Sequence, residues 1–244
     1  MPSRFVCAAL LCAGIARGGA AQTVSPDSLS IADSIFVRYR VNTSGRQTAS
    51  VVVVAVRAPV QRMEGPSSEW VLESPKPGDS LATWRSGSAA ADVVPGTFRT
   101  GFVLTAASGL PDIVTYWVEG RSGSALAADA AGMAQHGGQG QTVGIAAVAD
   151  QSPGALLSRL YNLQIQACTL AWITNRGDCN SLLNKVAAAR EELSRNHPQP
   201  AAQQLEALLR QLNGKHSPGA WESVTDNAYW LLRANTEFVM ARLK

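Results

Sequence analysis

Cys168-Thr169-Leu170-Ala171-Trp172-Ile173-Thr174-Asn175-Arg176-Gly177-Asp178-Cys179 lies where one amphipathic helical pattern stops and the next begins. Upstream, Leu156, Leu160, Leu163, Ala167 and Leu170 recur at helical spacing and form one apolar stripe. Ser152-Pro153 opens that helix as an N-cap followed by proline at the first helical position. Asn175 to Gly177 reads as its stop, with Gly177 as a left-handed cap, and Asp178 or Asn180 starts the next helix. Leu182, Leu183, Val186, Ala189 (or Arg190 beside it) and Leu193 mark the buried face of that second helix. In an antiparallel hairpin the two cysteines face each other across the turn, with Cys168 about two turns before the end of the first helix.

The helical period continues to the C-terminus. Pro200 opens a third helix with Ala202, Leu205, Leu208, Leu209 and Leu212, and Asn213-Gly214 ends it. Ser217-Pro218 repeats the cap seen at Ser152-Pro153. The fourth helix then buries Trp221, Val224, Ala228, Leu231, Leu232, Phe238 and Val239. Four helices with short connections predict an antiparallel four-helix bundle over residues 151–244.

Toward the N-terminus the period falls to two. Residues 35–41 alternate apolar and mixed side chains, the pattern of a half-buried strand. The run Val51-Val52-Val53-Val54 predicts a strand buried on both faces, stopped by Pro59. Further strands are expected at 70–73, 80–85, 98–106 (with Gly101 as a bulge), 112–119 and 142–148. Residues 121–141 are almost all Gly, Ala, Ser and Gln and read as a mobile loop. Seven or eight short strands without helical periodicity predict an antiparallel β-sandwich of immunoglobulin or fibronectin type over residues 22–150. The expected fold class is therefore α+β by segregated domains, a sandwich followed by a helical bundle.

Residues 1–21 stand apart. Arg4, the apolar run 5–15 and Gly19-Ala20-Ala21 together have the form of a secretory signal cut after Ala21 or close to it. Arg4 and Arg17 leave with it and no acid does, so the net charge falls from +3 for the whole chain to about +1. With no cluster of Lys and Arg interleaved with aromatics, nucleic acid is not an expected partner. No later run approaches 18 apolar residues, so the mature chain is expected to lack a transmembrane helix. Cys7 and Cys12 also leave with the signal. The remaining pair, Cys168 and Cys179, in an exported protein reads as a disulfide. A metal or redox pair has no nearby His and no C-x-x-C spacing to support it.

Three stretches give the back half a family likeness: Ser181-Leu182-Leu183-Asn184-Lys185-Val186-Ala187-Ala188-Ala189, Ala201-Ala202-Gln203-Gln204-Leu205-Glu206-Ala207-Leu208, and Asn235-Thr236-Glu237-Phe238-Val239-Met240-Ala241-Arg242. Residues 153–244 resemble the FIMAH domain, a helical module at the C-termini of exported bacterial proteins. Val239 replaces the isoleucine of the family's naming motif and Arg242 its closing histidine. The resemblance implies a module that trails a catalytic or β-rich domain and brings no assigned molecular activity. The front half, through Val56-Arg57-Ala58-Pro59, Thr100-Gly101-Phe102 and Tyr116-Trp117-Val118-Glu119-Gly120, is similar to β-rich segments of exported bacterial proteins.

No catalytic, cofactor-binding or metal-ligating set emerges. Arg176-Gly177-Asp178 spells an integrin-recognition tripeptide, but helix capping and the helix dipole explain each of its residues. His136, with Asp129 seven residues before it, reads as a solvated loop residue, as do His197 and His216 beside Pro198 and Pro218. Gly120-Arg121-Ser122-Gly123-Ser124 fails the nucleophile-elbow pattern. Tyr229 and Trp230 are adjacent on the fourth helix and point about 100° apart, so at least one is expected at the core margin, as a candidate partner surface. The functional expectation is an exported, non-catalytic structural or binding protein with an unidentified protein or glycan partner at the envelope. The alternative is a secreted hydrolase or carbohydrate-binding protein with its site on the sandwich loops.

Overall fold

The computed structural model describes residues 22–44, 48–75, 80–120, 138–216 and 223–243. In chain order these form strands β1 (Gln22–Ile31), β2 (Ile35–Thr43), β3 (Val51–Ala55), β4 (Val60–Glu64), β5 (Trp70–Glu73), β6 (Leu81–Ser86), β7 (Phe98–Ala106), β8 (Leu110–Glu119) and β9 (Gly138–Ala146). Helices α1 (Pro153–Thr169), α2 (Arg176–Ser194), α3 (Pro198–Lys215) and α4 (Asp226–Arg242) follow. The strands make two antiparallel sheets, ordered β1-β2-β7-β4 and β5-β6-β3-β8-β9.

The sheets meet face to face through aromatic side chains. Tyr39 of β2 and Phe102 of β7 meet Trp84 of β6 edge-on with ring centroids 6.1 Å away in both cases, and Phe102 also meets Trp70 of β5 at 4.9 Å. Such edge-to-face pairs contribute about 0.5–1.5 kcal/mol beyond the area they bury. The Trp84 indole N–H donates to the Glu64 carbonyl at 2.8 Å, so this fully buried ring leaves no donor unpaired. The valine run behaves as its crowding predicts. Val52 and Val54 enter the main core, while Val51 and Val53 pack with Trp117 on the opposite face. Gly101 is a bulge: Tyr39 pairs with Phe102 and Arg40 with Thr100, leaving Gly101 over at φ +96°. A Cβ there would sit 3.2 Å from Pro66 Cα.

Several boundaries differ from the sequence expectation. Strands β1 and β4 were not anticipated. Both are sheet edges, where Pro26 costs no ladder bond and where a polar sequence such as Val60-Gln61-Arg62-Met63-Glu64 needs to bury only Met63. Strand β8 starts at Leu110, paired with Ala146, so the turn before it is shorter than expected. Of the expected loop 121–141, residues 138–141 belong to β9, and 121–137 lie outside the described residues.

Helix α1 ends earlier and by a different device. Ala171, not Gly177, is left-handed, at φ 56°. The Trp172 N–H donates to the Ala167 carbonyl at 2.9 Å and the Ala171 N–H to the Cys168 carbonyl at 3.1 Å, the bond pattern of a Schellman cap. Cys168 therefore lies in the last turn of α1. Gly177 falls within the first turn of α2, whose N-cap is Asn175, accepting from the Asp178 N–H at 3.1 Å. Helix α3 starts at Pro198 rather than Pro200. Thr225 caps α4; Ser217, Pro218 and Trp221 lie outside the described residues.

The Cys168–Cys179 disulfide joins the end of α1 to the start of α2, with Cα atoms 6.1 Å apart. The stretch between them is also paired elsewhere. Ile173 bridges Val224, the Thr174 N–H donates to the Ser223 carbonyl at 2.8 Å, and the Thr225 N–H to the Trp172 carbonyl at 2.9 Å. The α1–α2 turn thus holds the approach to α4.

Strands and helices are segregated along the chain but not in the core. One buried cluster runs from Val24 and Tyr39 through Val114 and Ile145 into Leu157, Leu160, Leu231 and Leu232. Helix α4 packs on α1 and α3 on one side and on β1, β8 and β9 on the other.

A disulfide closing so short a loop acts mainly on the unfolded chain and stabilises by about 3 kcal/mol. Cys168→Ser and Cys179→Ser are each expected to lower the unfolding free energy in urea by about that amount, and reduction of the wild-type chain should match them. A loss below about 1 kcal/mol would show that the bridge adds little to what the Trp172–Thr225 pairing already fixes.

Candidate functional site at the helix–sheet junction

The junction is held by a buried polar node. Arg159 on α1 reaches toward β8: Nη1 donates to Asn235 Oδ1 at 2.5 Å, and Nη2 donates to the Pro111 carbonyl at 2.8 Å and lies 3.4 Å from Asp112 Oδ2. Asn235 on α4 completes it, its Nδ2 donating to the Pro111 carbonyl at 3.0 Å and to the Leu231 carbonyl at 2.8 Å. Burial pulls the Arg159 guanidinium below its ordinary pKa, and Asp112 partly offsets the shift. Farther along α4, Thr142 Oγ1 of β9 donates to Asn227 Oδ1 at 3.2 Å. The partners come from α1, α4 and β8, so the node aligns these three elements as well as satisfying them.

Beside this node a groove of about 480 Å³ opens between α1 and the start of β8. Its lining is Ser158, Arg159, Asn162 and Gln166 from α1 and Asp112 from β8, over Ala155 and Leu163. A second groove of about 450 Å³ lies where the start of α1 meets the end of α2, lined by Leu157, Leu193 and Arg190 among others. Gln164, on the inward face of α1, is fully buried, and neither polar end of its side chain has a partner among the described residues.

Of the Arg176-Gly177-Asp178 tripeptide, Arg176 and Gly177 are exposed but Asp178 is buried. The tripeptide forms the first turn of α2, and the Asp178 carboxylate accepts from Ser223 Oγ at 2.6 Å and pairs with Lys215 Nζ at 3.2 Å. These contacts, Ser223 first and Lys215 after it, hold the Asp178 carboxyl below its ordinary range.

Tyr229 is 8% exposed. Its hydroxyl donates to Asn213 Oδ1 at 3.1 Å and accepts from Arg233 Nη1 at 2.6 Å, and its ring stacks on His216 at 4.0 Å. His216 Nε2 lies 2.8 Å from Asp226 Oδ1. Trp230 is half-buried, with the Arg233 guanidinium 5.7 Å over its ring. Arg242 lies over the Phe238 ring and donates to Gln151 Oε1 at 3.0 Å. His197 Nδ1 lies 3.1 Å from Glu192 on α2. His136, Asp129, Ser122 and Ser124 lie outside the described residues. Among the described residues no three His, Cys, Asp or Glu side chains converge to hold a metal ion, and no helix is long and apolar enough to cross a membrane.

Sequence reasoning missed the junction residues Arg159, Asp112, Asn162, Gln166 and Asn235. A signal existed: Arg159, Asn162 and Gln166 share one face of α1 at spacings of three and four, and Asn235 interrupts the apolar pattern of α4.

No family model matches the chain, and no curated protein matches it. Among solved structures it is similar to an uncharacterised protein from Nocardia farcinica described as having an immunoglobulin-like fold. That likeness has 14% identity and a TM-score of 0.32, covering 52% of this chain and 98% of the other. It is also similar to part of a GH20 exo-β-N-acetylglucosaminidase from Vibrio harveyi, at 8% identity and a TM-score of 0.29, covering 54% of this chain and 19% of that one. Both likenesses are too distant to carry a function.

Asn235→Ala leaves buried partners of the node without their bonds and is expected to cost about 1–3 kcal/mol, measured by urea unfolding. A neutral outcome would mean that water replaces the amide. A carboxyl held below its unfolded-state pKa stabilises the fold above that value, and the stabilisation is lost as pH falls through the folded-state pKa. Ser223→Ala is therefore expected to lower stability at pH 7 and to flatten its decline between about pH 5 and pH 2. An unchanged acid limb would remove Asp178 from that decline.

Proposed function

We propose that the chain is an exported, non-catalytic binding protein, an immunoglobulin-type sandwich with an antiparallel four-helix bundle docked on one edge, whose ligand site is the groove beside Arg159 and Asp112. The observation that carries this reading is the groove itself: an open depression with polar side chains set on a partly apolar floor, at the joint between two kinds of structure, where ligand sites concentrate. Ionisable side chains elsewhere support a non-catalytic role. Asp178 with Lys215, His216 with Asp226 and His197 with Glu192 are pairs that tie one segment to another. Strand order supports the immunoglobulin comparison. The order β1-β2-β7-β4 matches the A-B-E-D sheet of that fold and β3-β8-β9 its C-F-G sheet, with β5 and β6 inserted between the D-like and E-like strands.

Export rests on the signal-like residues 1–21 and on the Cys168–Cys179 disulfide, a bond that persists in oxidising compartments. The FIMAH-like pattern over 153–244 belongs to the same reading, as a helical module trailing a β-rich partner.

Expression of the full chain with residues 1–21 in a bacterial host, followed by fractionation and intact-mass measurement, tests it. The expected product lies outside the cytosol, begins at or near Gln22 and carries no free thiol. Full-length chain in the cytosol with free Cys168 and Cys179 would overturn the export reading, and turnover of a bound ligand would overturn the non-catalytic one.

A further inference from the structure

We infer that the groove between α1 and β8 binds a neutral oligosaccharide, an inference that rests on the binding-protein reading above and names its ligand class. The argument starts from charge. Both charged side chains in the lining are already committed. Arg159 gives Nη1 to Asn235 and Nη2 to Pro111 and Asp112, and Asp112 Oδ1 accepts from the Ile113 N–H at 2.8 Å. An anionic ligand would have to compete with Asp112 for Arg159, and a cationic one with Arg159 for Asp112. The groove therefore presents little net charge.

What it does present is amide and hydroxyl. Asn162 and Gln166 are exposed, stand four residues apart on one face of α1, and each ends in a donor and an acceptor side by side. Half-buried Ser158 donates its hydroxyl to the Gly154 carbonyl at 2.9 Å and keeps acceptor capacity toward the groove. Paired donor and acceptor groups at short spacing match the neighbouring hydroxyls of a sugar ring, each of which donates and accepts. A peptide would need pockets for apolar side chains. Here only Ala155 and Leu163 are apolar, and Leu163 is 3% exposed. The volume, about 480 Å³, falls within the range of small-molecule sites. With an open shape and no aromatic plate in the lining, the expected Kd is on the order of 1 mM.

The test is a backbone-amide NMR titration of the mature, disulfide-bonded chain with cellotriose, maltotriose and mannotriose, and with trigalacturonate as the anionic counterpart. At least one neutral trisaccharide is expected to shift amides clustered at residues 110–113 and 155–166. Asn162→Ala and Gln166→Ala, both solvent-side changes, should each weaken binding about three- to tenfold, and trigalacturonate should bind more weakly than the neutral sugars. No shifts with any of the three, shifts confined to other surfaces, stronger binding of trigalacturonate, or affinity unchanged in both variants would each overturn the inference. Mass analysis of the sugars after the titration separates the two readings. Cleaved sugar contradicts the non-catalytic role, whereas intact sugar without groove-dependent binding contradicts only the ligand class.

Discussion

Helix α4 is covered by both the bundle and the sandwich and leaves water only a narrow stripe through Arg233, Glu237 and Ala241, and the rest of the fold is arranged around that constraint. Ala228, Leu231, Leu232, Ala234, Asn235, Thr236 and Val239 are all buried, because α1 and α3 cover one side of the helix and β1, β8 and β9 the other. With apolar contacts on two sides, its amphipathic stripe alone fixes its rotation less sharply than usual. Polar bonds to neighbouring elements sharpen it. Asn235 engages Arg159 and Pro111, and Asn227 accepts from Thr142.

The Cys168–Cys179 stretch works on the same helix from its other end. Its disulfide, its Schellman cap and its pairing with residues 223–225 fix where the chain enters α4. Ala171 takes a left-handed conformation that costs an L-residue on the order of 1 kcal/mol, and the surrounding bonds hold it there. The cysteines, conspicuous in the sequence, thus serve the placement of α4 rather than any chemistry of their own.

Much of the fold was legible because its signals are local. The valine run, the alternation of 35–41, the bulge at Gly101 and the leucine stripes of α1 to α3 each follow from side-chain period and sterics and stand in the structure, except that Leu170 falls past the end of α1 and is exposed. What escaped is non-local. Edge strand β4 buries only Met63, and the inward face of β1 (Gln22, Val24, Pro26, Leu29) is part polar and part proline, so neither carries a strong pattern. Gly177 looked like a cap because glycine is the usual left-handed residue, yet tertiary bonds placed that conformation at Ala171. The shared core and the groove escaped for similar reasons: the core depends on α4 meeting β8 and the groove on α1 meeting β8, and no spacing within any of these segments announces the contact. Arg159 carried no signal on α1 because its partners, Pro111, Asp112 and Asn235, lie 48, 47 and 76 positions away.

If bundle and sandwich share one core, they unfold together. Native-state hydrogen exchange across a denaturant series measures this directly. The slowest amides of β8 and β9 and those of α1 and α4 are expected to converge on one global unfolding free energy with one denaturant slope. Helical amides that open at a distinctly lower free energy and smaller slope than the strands, leaving the sandwich protected, would show two separate cores and contradict the role assigned to α4.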